Sequence, residues 1–339
     1  MPDLALSLHP LDLPLVHPFT IARGTETVAR SVIFRLQWDG VEGIGESSPT
    51  ERYDESVETV IAHFRDHELS GNDPYLLDDL LAGMPPAARC GLDLALHDLI
   101  AKLCDLPLYR LLGLNPAHTP RTSFTIGIGE LAPTLRKVED LLDHPILKIK
   151  LGSASGEDEI ALIEAIRSRY RGTIRIDANE GWTAQRAVAT LRELARFDIE
   201  FCEQPIPAGS PEQLRYVRER SPIAIVTDED SCNAEDLPRL HGCVDGINVK
   251  LVKCGGIRAA LRMIHTARAL GMKIMLGCMV ESQVLTSAAA HLSPLVDWAD
   301  LDGPFLTRND PFTGITYDRG TIVLPDGPGL GVRERSAVG

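Results

Sequence analysis

Past residue 120 the chain settles into a repeating pattern of short apolar runs. They fall at residues 123–128, 146–151, 173–176, 199–202, 223–226, 246–249, 273–276 and 296–301. Helical spacing of apolar positions separates most of them, as at 157–170, 184–196 and 256–270. Eight strands, each followed by a helix, predict an α/β fold of the (β/α)8 barrel type. The runs are continuous rather than alternating, as parallel strands buried on both faces require. Residues 1–115 read differently, as α+β. Strands are predicted at 4–8 and 27–38, with turn signals at Asp39-Gly40 and Gly43-x-Gly45. Helices follow at 54–69, 73–81 and 85–112, the last long, mostly apolar and closed by Gly113. Residues 312–331 return to turn-rich β character. The division expected is a capping domain over 1–117, which supplies the specificity loops, and a barrel over 118–310. A tail over 311–339 then returns to the cap.

Composition narrows the functions available. The chain has 339 residues, 44% apolar and 24% charged, enough for a sizeable core. Its 34 basic residues face 48 acidic ones, a net charge of -14. That disfavours nucleic acid and anionic membranes as partners. No run approaches the ~18 apolar residues that a membrane span needs. The opening Met-Pro-Asp-Leu lacks the basic and apolar regions of a signal peptide. Seven cysteines, at 90, 104, 202, 232, 243, 254 and 278, are scattered and never spaced Cys-x-x-Cys. Reduced thiols and a cytoplasmic location are the expectation.

In a parallel barrel the catalytic groups come from the C-terminal ends of strands. Those ends carry Lys148 and Lys150 (second strand), Asp177 (third), Glu203 (fourth), Asp228 (fifth), Lys250 (sixth), and Asp300 with Asp302 (eighth). Taken singly, Asp177 or Asp228 would serve as a helix cap, and Glu203 would be a solvated loop residue. Three carboxylates on adjacent strands converge and repel one another. A hard divalent cation relieves that repulsion, and all-oxygen donors favour Mg2+ over zinc or copper. Lys148 and Lys150 point to one face, about 6–7 Å apart. Their repulsion, roughly 2.5 kcal/mol at an effective dielectric of ~20, predicts a lowered lysine pKa suited to a base. Lys250, four strands on, faces Lys150 across the mouth, so one can remove a proton and the other return it. Lys253, in the Lys-Cys-Gly-Gly turn, is expected outside the strand.

These segments, Lys148-Ile-Lys150, Asp177-Ala-Asn179, Glu203-Gln-Pro205, Asp228-Glu229 and Ile247-Asn-Val-Lys250, resemble the muconate-lactonizing subgroup of the enolase superfamily. Leu96-His-Asp-Leu-Ile-Ala-Lys102 and Gly329-Leu-Gly331 extend the resemblance over essentially the whole chain. It implies that Asp177, Glu203 and Asp228 hold one Mg2+ per subunit, with Lys150 and Lys250 as acid/base catalysts and Lys148 as electrostatic helper. The metal would bind a substrate carboxylate and stabilise the enediolate formed when the α-proton leaves. Asp300-Leu-Asp302-Gly-Pro304 resembles the Asp-x-Asp motif with which dipeptide epimerases bind a free α-ammonium. Phe19-Thr-Ile-Ala-Arg23-Gly24 resembles the cap loop whose arginine pairs with a substrate glutamate. The other reading of Arg23 is a surface salt bridge. Thr125 and Asn179 are further substrate-contact candidates, and Arg52-Tyr53 would close over the site. Where the family often has Asp-Glu-Ser, this chain reads Asp228-Glu229-Asp230. Asp230 is expected to be solvated or to contact a cationic part of the substrate, which keeps a basic dipeptide open.

The resemblance implies an isomerase that epimerises a small-molecule dipeptide by 1,1-proton transfer. L-Ala-D/L-Glu from recycled cell-wall peptides is the substrate expected, and a homo-oligomer stays open. The rivals are an N-acylamino acid racemase, an o-succinylbenzoate synthase, a cycloisomerase, and a catalytically silent barrel used for binding. N-acylated substrates offer no ammonium to Asp300 and Asp302. Gly127-Ile-Gly129-Glu-Leu-Ala132 matches a loose dinucleotide fingerprint, but the next strand ends in lysines rather than an acid. His63-x-x-x-His67 lacks the glutamate of a zinc protease.

Overall fold

The computed structural model describes residues 3–66, 69, 73–153 and 159–335. Met1, Pro2, His67 and the first two residues of the helix predicted at 157–170 lie outside the described residues. Three antiparallel strands form the cap sheet in the order β1 (Ala5–Ile21), β2 (Gly24–Trp38), β3 (Val41–Ser47). Strand β1 runs far beyond the predicted 4–8. Pro10, Pro14 and Pro18 interrupt its alternation, yet β1 is an edge strand, where missing N–H groups can face outward. The β2–β3 turn uses Asp39 and Gly40, both left-handed (φ 49° and 77°), as a two-residue hairpin demands.

Gly43 and Gly45 are not a turn. They lie within β3, where helix Pro86–Leu103 presses on the sheet. A Cβ at Gly45 would stand 2.1 Å from the Gly91 carbonyl oxygen and 2.7 Å from the Ala95 nitrogen. Gly45→Ala should therefore destabilise the protein by roughly 1–3 kcal/mol through overpacking. A lowered urea midpoint with unchanged slope would register it. The helix predicted over 85–112 is two helices, Pro86–Leu103 and Leu108–Leu111. A left-handed Asp105 (φ 53°) and Pro107 break it, while both pieces share one core, so the apolar pattern runs through the break.

Eight parallel strands build the barrel: β4 (Phe124–Ile126), β5 (Ile146–Lys150), β6 (Thr173–Asp177), β7 (Ile199–Glu203), β8 (Ala224–Thr227), β9 (Gly246–Val249), β10 (Lys273–Gly277) and β11 (Trp298–Asp300). They pair in sequence order, and a bridge between Thr122 and Ala299 brings the first and last together. All eight coincide with the predicted runs to within two or three residues. Helices Leu131–Asp140, Glu159–Arg167, Ala184–Leu194, Pro211–Arg218, Ile257–Ala269 and Gln283–Leu292 fill the connections, with a shorter Leu237–Leu240 after β8. No helix of the described residues is long and apolar enough to cross a membrane, and all seven cysteines are free.

The last segment forms β12 (Phe312–Thr313), β13 (Thr316–Asp318), β14 (Thr321–Val323) and β15 (Arg333–Glu334). Beyond β14 it docks on cap residues. Leu108 N–H donates to the Gly329 carbonyl (2.9 Å), and Gly329 N–H to that of Leu106 (3.0 Å). Buried Asp98 is the node: it accepts from Ile44 N–H (2.8 Å), Leu330 N–H (2.6 Å) and the Lys102 ammonium (2.7 Å).

Candidate active site

Register places the charged strand ends side by side: Lys150 pairs with Asp177, and Asp177 with Glu203. Asp228 and Lys250 each follow the last residue of their strand. One side of the cluster centres on Lys148. Its Nζ lies 2.6 Å from Asp300 Oδ2, 2.6 Å from Glu203 Oε2 and 3.1 Å from Asp177 Oδ2. Lys150 Nζ is 2.6 Å from the same Asp177 oxygen. The other side centres on Asp228, reached by Lys250 Nζ at 3.0 Å and also by Lys253. Strands β5 and β9 stand four places apart in a ring of eight, so Lys150 and Lys250 approach the acids from opposite sides.

The expectation of a lowered lysine pKa is overturned. Burial works in that direction for Lys148, but Asp300, Glu203 and Asp177 together hold it well above the ordinary lysine value. For Lys250 burial is likewise outweighed, by Asp228 and Glu203. Along-strand repulsion loses to cross-strand attraction. Burial would raise Asp177, and Lys150 and Lys148 push it below the usual carboxylate range instead. Glu203 stays above that range, through burial and the nearby Asp177.

Lys253 lies outside the strand, as expected. It sits in the short helix Leu251–Cys254 yet is buried, and besides Asp228 Oδ1 it donates to the carbonyls of Asp228 (2.6 Å), Asn248 (3.2 Å) and Ser231 (3.3 Å). It therefore fixes Asp228 from behind. Asn248, two residues before Lys250 on the same strand face, donates to Glu203 Oε1 (2.7 Å).

Among the described residues, no three His, Cys, Asp or Glu side chains already surround a common metal position. Each acid of the cluster is turned to an ammonium instead. The donor chemistry nevertheless suits a hard cation. Asp177, Glu203 and Asp228 are all-oxygen donors, and Asp177 and Glu203 already touch one cationic nitrogen. Burial first, and then the neighbouring Asp177, raise Glu203, and a cation beside it would favour its charged form.

Asp300 and Asp302 do not form one symmetrical pair. Asp300 is committed to Lys148 and accepts from Ser123 Oγ (2.5 Å), and these outweigh burial to hold it below its usual value. Asp302 accepts from Thr125 N–H (2.6 Å) and has no basic partner among the described residues. Although it stands at the N-cap of helix Gly303–Leu306, its side chain makes no capping bond. Burial and Asp300 push its carboxyl up to about 6.

The cap loops reach the cluster through ion pairs. Arg23 contacts Glu229 Oε1 (2.5 Å), Glu180 Oε2 (3.0 Å) and the Asn179 carbonyl (3.3 Å). Arg52 grips Glu180 with two bonds, at 3.0 and 2.9 Å. Arg23 thus makes the salt bridges of the other reading, with its side chain 35% exposed and held by two barrel acids. Asn179, left-handed at φ 41°, donates its N–H to Asp177 Oδ1 (2.9 Å), and its own Oδ1 is buried without a hydrogen-bond partner among the described residues. Glu229 is pushed up to about 7 by burial, Asp228 and Asp177, against the pull of Arg23. Burial, then Asp228 and Glu229, raise the Tyr53 phenol. Asp230 is neither solvated nor facing the site. It is 1% exposed and accepts from Gln204 Nε2 and Gly209 N–H, both at 2.8 Å. Gln204 in turn accepts from Asp228 N–H (3.0 Å).

Comparison with known proteins agrees with this architecture. Residues 9–113 match the mandelate racemase / muconate lactonizing enzyme N-terminal domain, and residues 132–337 match the family described as enolase C-terminal domain-like. The chain belongs to the enolase superfamily. Among curated members, the L-Ala-D/L-Glu epimerase of Bacteroides thetaiotaomicron is 38% identical, over 97% of this chain and 88% of that protein. Among solved members, the dipeptide epimerase of Enterococcus faecalis V583, complexed with Mg and L-Leu-L-Tyr, superposes with a TM-score of 0.90. Its identity is 32%, covering 98% of this chain and 99% of that one. The dipeptide epimerase of Methylococcus capsulatus, complexed with Mg and L-Arg-D-Lys, has the same TM-score at 31% identity, covering 98% and 99%.

Proposed function

We propose that this protein is a Mg2+-dependent dipeptide epimerase, with an L-Ala-D/L-Glu dipeptide as the substrate. One observation carries the reading: Lys150 and Lys250 reach a single acid cluster from opposite strands, while buried Asp302 nearby is left without a cation. An α-carbon held between the two lysine side chains can lose its proton to the one that is an uncharged amine and gain a proton from the other, which is an ammonium, inverting its configuration. Asp302 supplies the seat for the dipeptide's free ammonium, with Thr125 N–H holding the carboxylate in place. Lys148, shared by Asp177, Glu203 and Asp300, adds positive charge where the substrate carboxylate becomes more negative. Asp177, Glu203 and Asp228 would hold the Mg2+ ion, whose chemistry is to stabilise that developing charge. The relatives support the reading, since they are named for this activity and two are complexed with Mg and a dipeptide. Scattered free thiols support the cytoplasm as its location.

The test is a dipeptide library incubated in D2O with Mg2+, read by mass spectrometry for one deuterium at the α-carbon. No uptake into any dipeptide, with Mg2+ bound, would overturn the proposal. Arg23 supports an acidic second residue. Its guanidinium lies where the first cap loop meets the acids, and a substrate carboxylate can take over a bond now made to Glu180. Arg23→Ala should lower kcat/KM for Ala-Glu by roughly tenfold or more, the worth of a charged hydrogen bond, and spare Ala-Ala. Equal losses on both dipeptides would remove Arg23 from the specificity role.

A further inference from the structure

The segment that follows β10 belongs to the barrel by sequence, but cap residues hold it. Glu46, near the end of β3, is fully buried and turns its carboxylate to this segment. It accepts from Ser282 N–H (3.0 Å), Ser282 Oγ (2.5 Å) and Leu285 N–H (3.0 Å), the free donors at the start of helix Gln283–Leu292. Two more cap contacts act on the same stretch. Ser48 Oγ donates to the Val280 carbonyl (3.4 Å), and Val280 packs with Leu13, Leu15 and Ala29 of β1 and β2.

From there the segment touches the reacting groups on two sides. Met279 Sδ lies 3.9 Å from Lys250 Nζ. The Met279 carbonyl and Glu281 fill the space beside Gly303, where a Cβ would stand 2.9 Å from that oxygen. Gly303 directly follows Asp302. Glu281 makes the stretch rigid from within, accepting from Met279 N–H (2.9 Å) and Thr286 Oγ1 (3.1 Å). Among the described residues, the ion-pair contact of Lys150 Nζ is Asp177 of the barrel itself.

We infer that Glu46 is a positioning residue for Lys250: through Ser282 and Leu285 it clamps the 279–282 segment, and that segment sets where the Lys250 ammonium stands. The inference rests on the epimerase reading, and it makes the cap responsible for the geometry of one proton-transfer face as well as for closing over the site. Loosening the clamp misplaces one lysine and leaves the other where it was. A displacement of this kind is costly in rate even when the fold survives.

The experiment is α-proton exchange in D2O, measured separately from each stereoisomer of the dipeptide. Lys150→Ala and Lys250→Ala show which isomer each lysine serves. Glu46→Gln keeps the volume but offers one carbonyl oxygen to three donors. It should slow exchange at the Lys250 face roughly tenfold, chiefly in kcat, and leave the Lys150 face within about twofold. Ser282→Ala, a milder cut in the same clamp, should show the same bias at smaller size and decides the matter if Glu46→Gln fails to fold. Equal slowing of both faces, or no slowing, in the variant that folds would overturn the inference while leaving the epimerase reading intact. Absence of exchange from either isomer in the wild-type protein would overturn both.

Discussion

Lys250→Ala is expected to abolish epimerisation while exchange of solvent deuterium continues from one stereoisomer, and Lys150→Ala to do the same with the opposite isomer. In the proposed mechanism each lysine is the base for one face only, so removing it would stop inversion in both directions but spare the wash-in that the remaining lysine performs alone. The loss should be roughly 10²–10⁴-fold, the usual worth of a positioned acid or base. Neither substitution strands a buried carboxylate. Asp228 keeps Lys253 when Lys250 is lost, and Asp177 keeps Lys148 when Lys150 is lost. The fold should therefore tolerate both changes, and thermal unfolding run beside the exchange assay would show it. Exchange lost from both isomers in both variants would contradict a two-base mechanism.

Asp302→Asn should lower kcat/KM for dipeptides by roughly a hundredfold or more, because a buried ammonium would then lack its charged partner. Mg2+ affinity should be unchanged, since Asp302 contacts none of Asp177, Glu203 and Asp228. An equal fall in both would mean that Asp302 shapes the site as a whole. The same carboxyl sets a pH dependence. Held at about 6 by burial and Asp300, it is protonated and neutral below that value and cannot pair with an ammonium. Wild-type kcat/KM should rise as pH increases through about 6 and level off above it. Asp302→Asn should lose that limb of the profile.

The barrel was legible because its strands are buried on both faces and therefore write unbroken apolar runs into the sequence. The charged residues that end six of the eight runs were legible for the same reason, since they recur in register with the strands. What escaped depends on partners far apart in the chain. The proximity of Lys148 to Lys150 suggested weakened ammonium groups, but their decisive neighbours are Asp177, Glu203 and Asp300 on other strands. Glu180 carries no spacing signal, and its role appears only when Arg23 and Arg52 arrive from the cap. Asp230 looked like an added charge in the site because its real partners, Gln204 and Gly209, lie on another loop. Asn248 was more accessible: it shares a strand face with Lys250, two residues away. Gly43 and Gly45 show the limit of local rules, being required by a helix some fifty residues downstream and not by any turn.

Asp98 joins strand β3, its own helix and the chain near residue 330 at one buried carboxylate. Those pieces leave the ribosome far apart in time. The third donor to that carboxylate, Leu330 N–H, comes from more than two hundred residues further along the chain. Truncation near residue 329 would therefore be felt first in the capping layer rather than in the strands that carry the lysines.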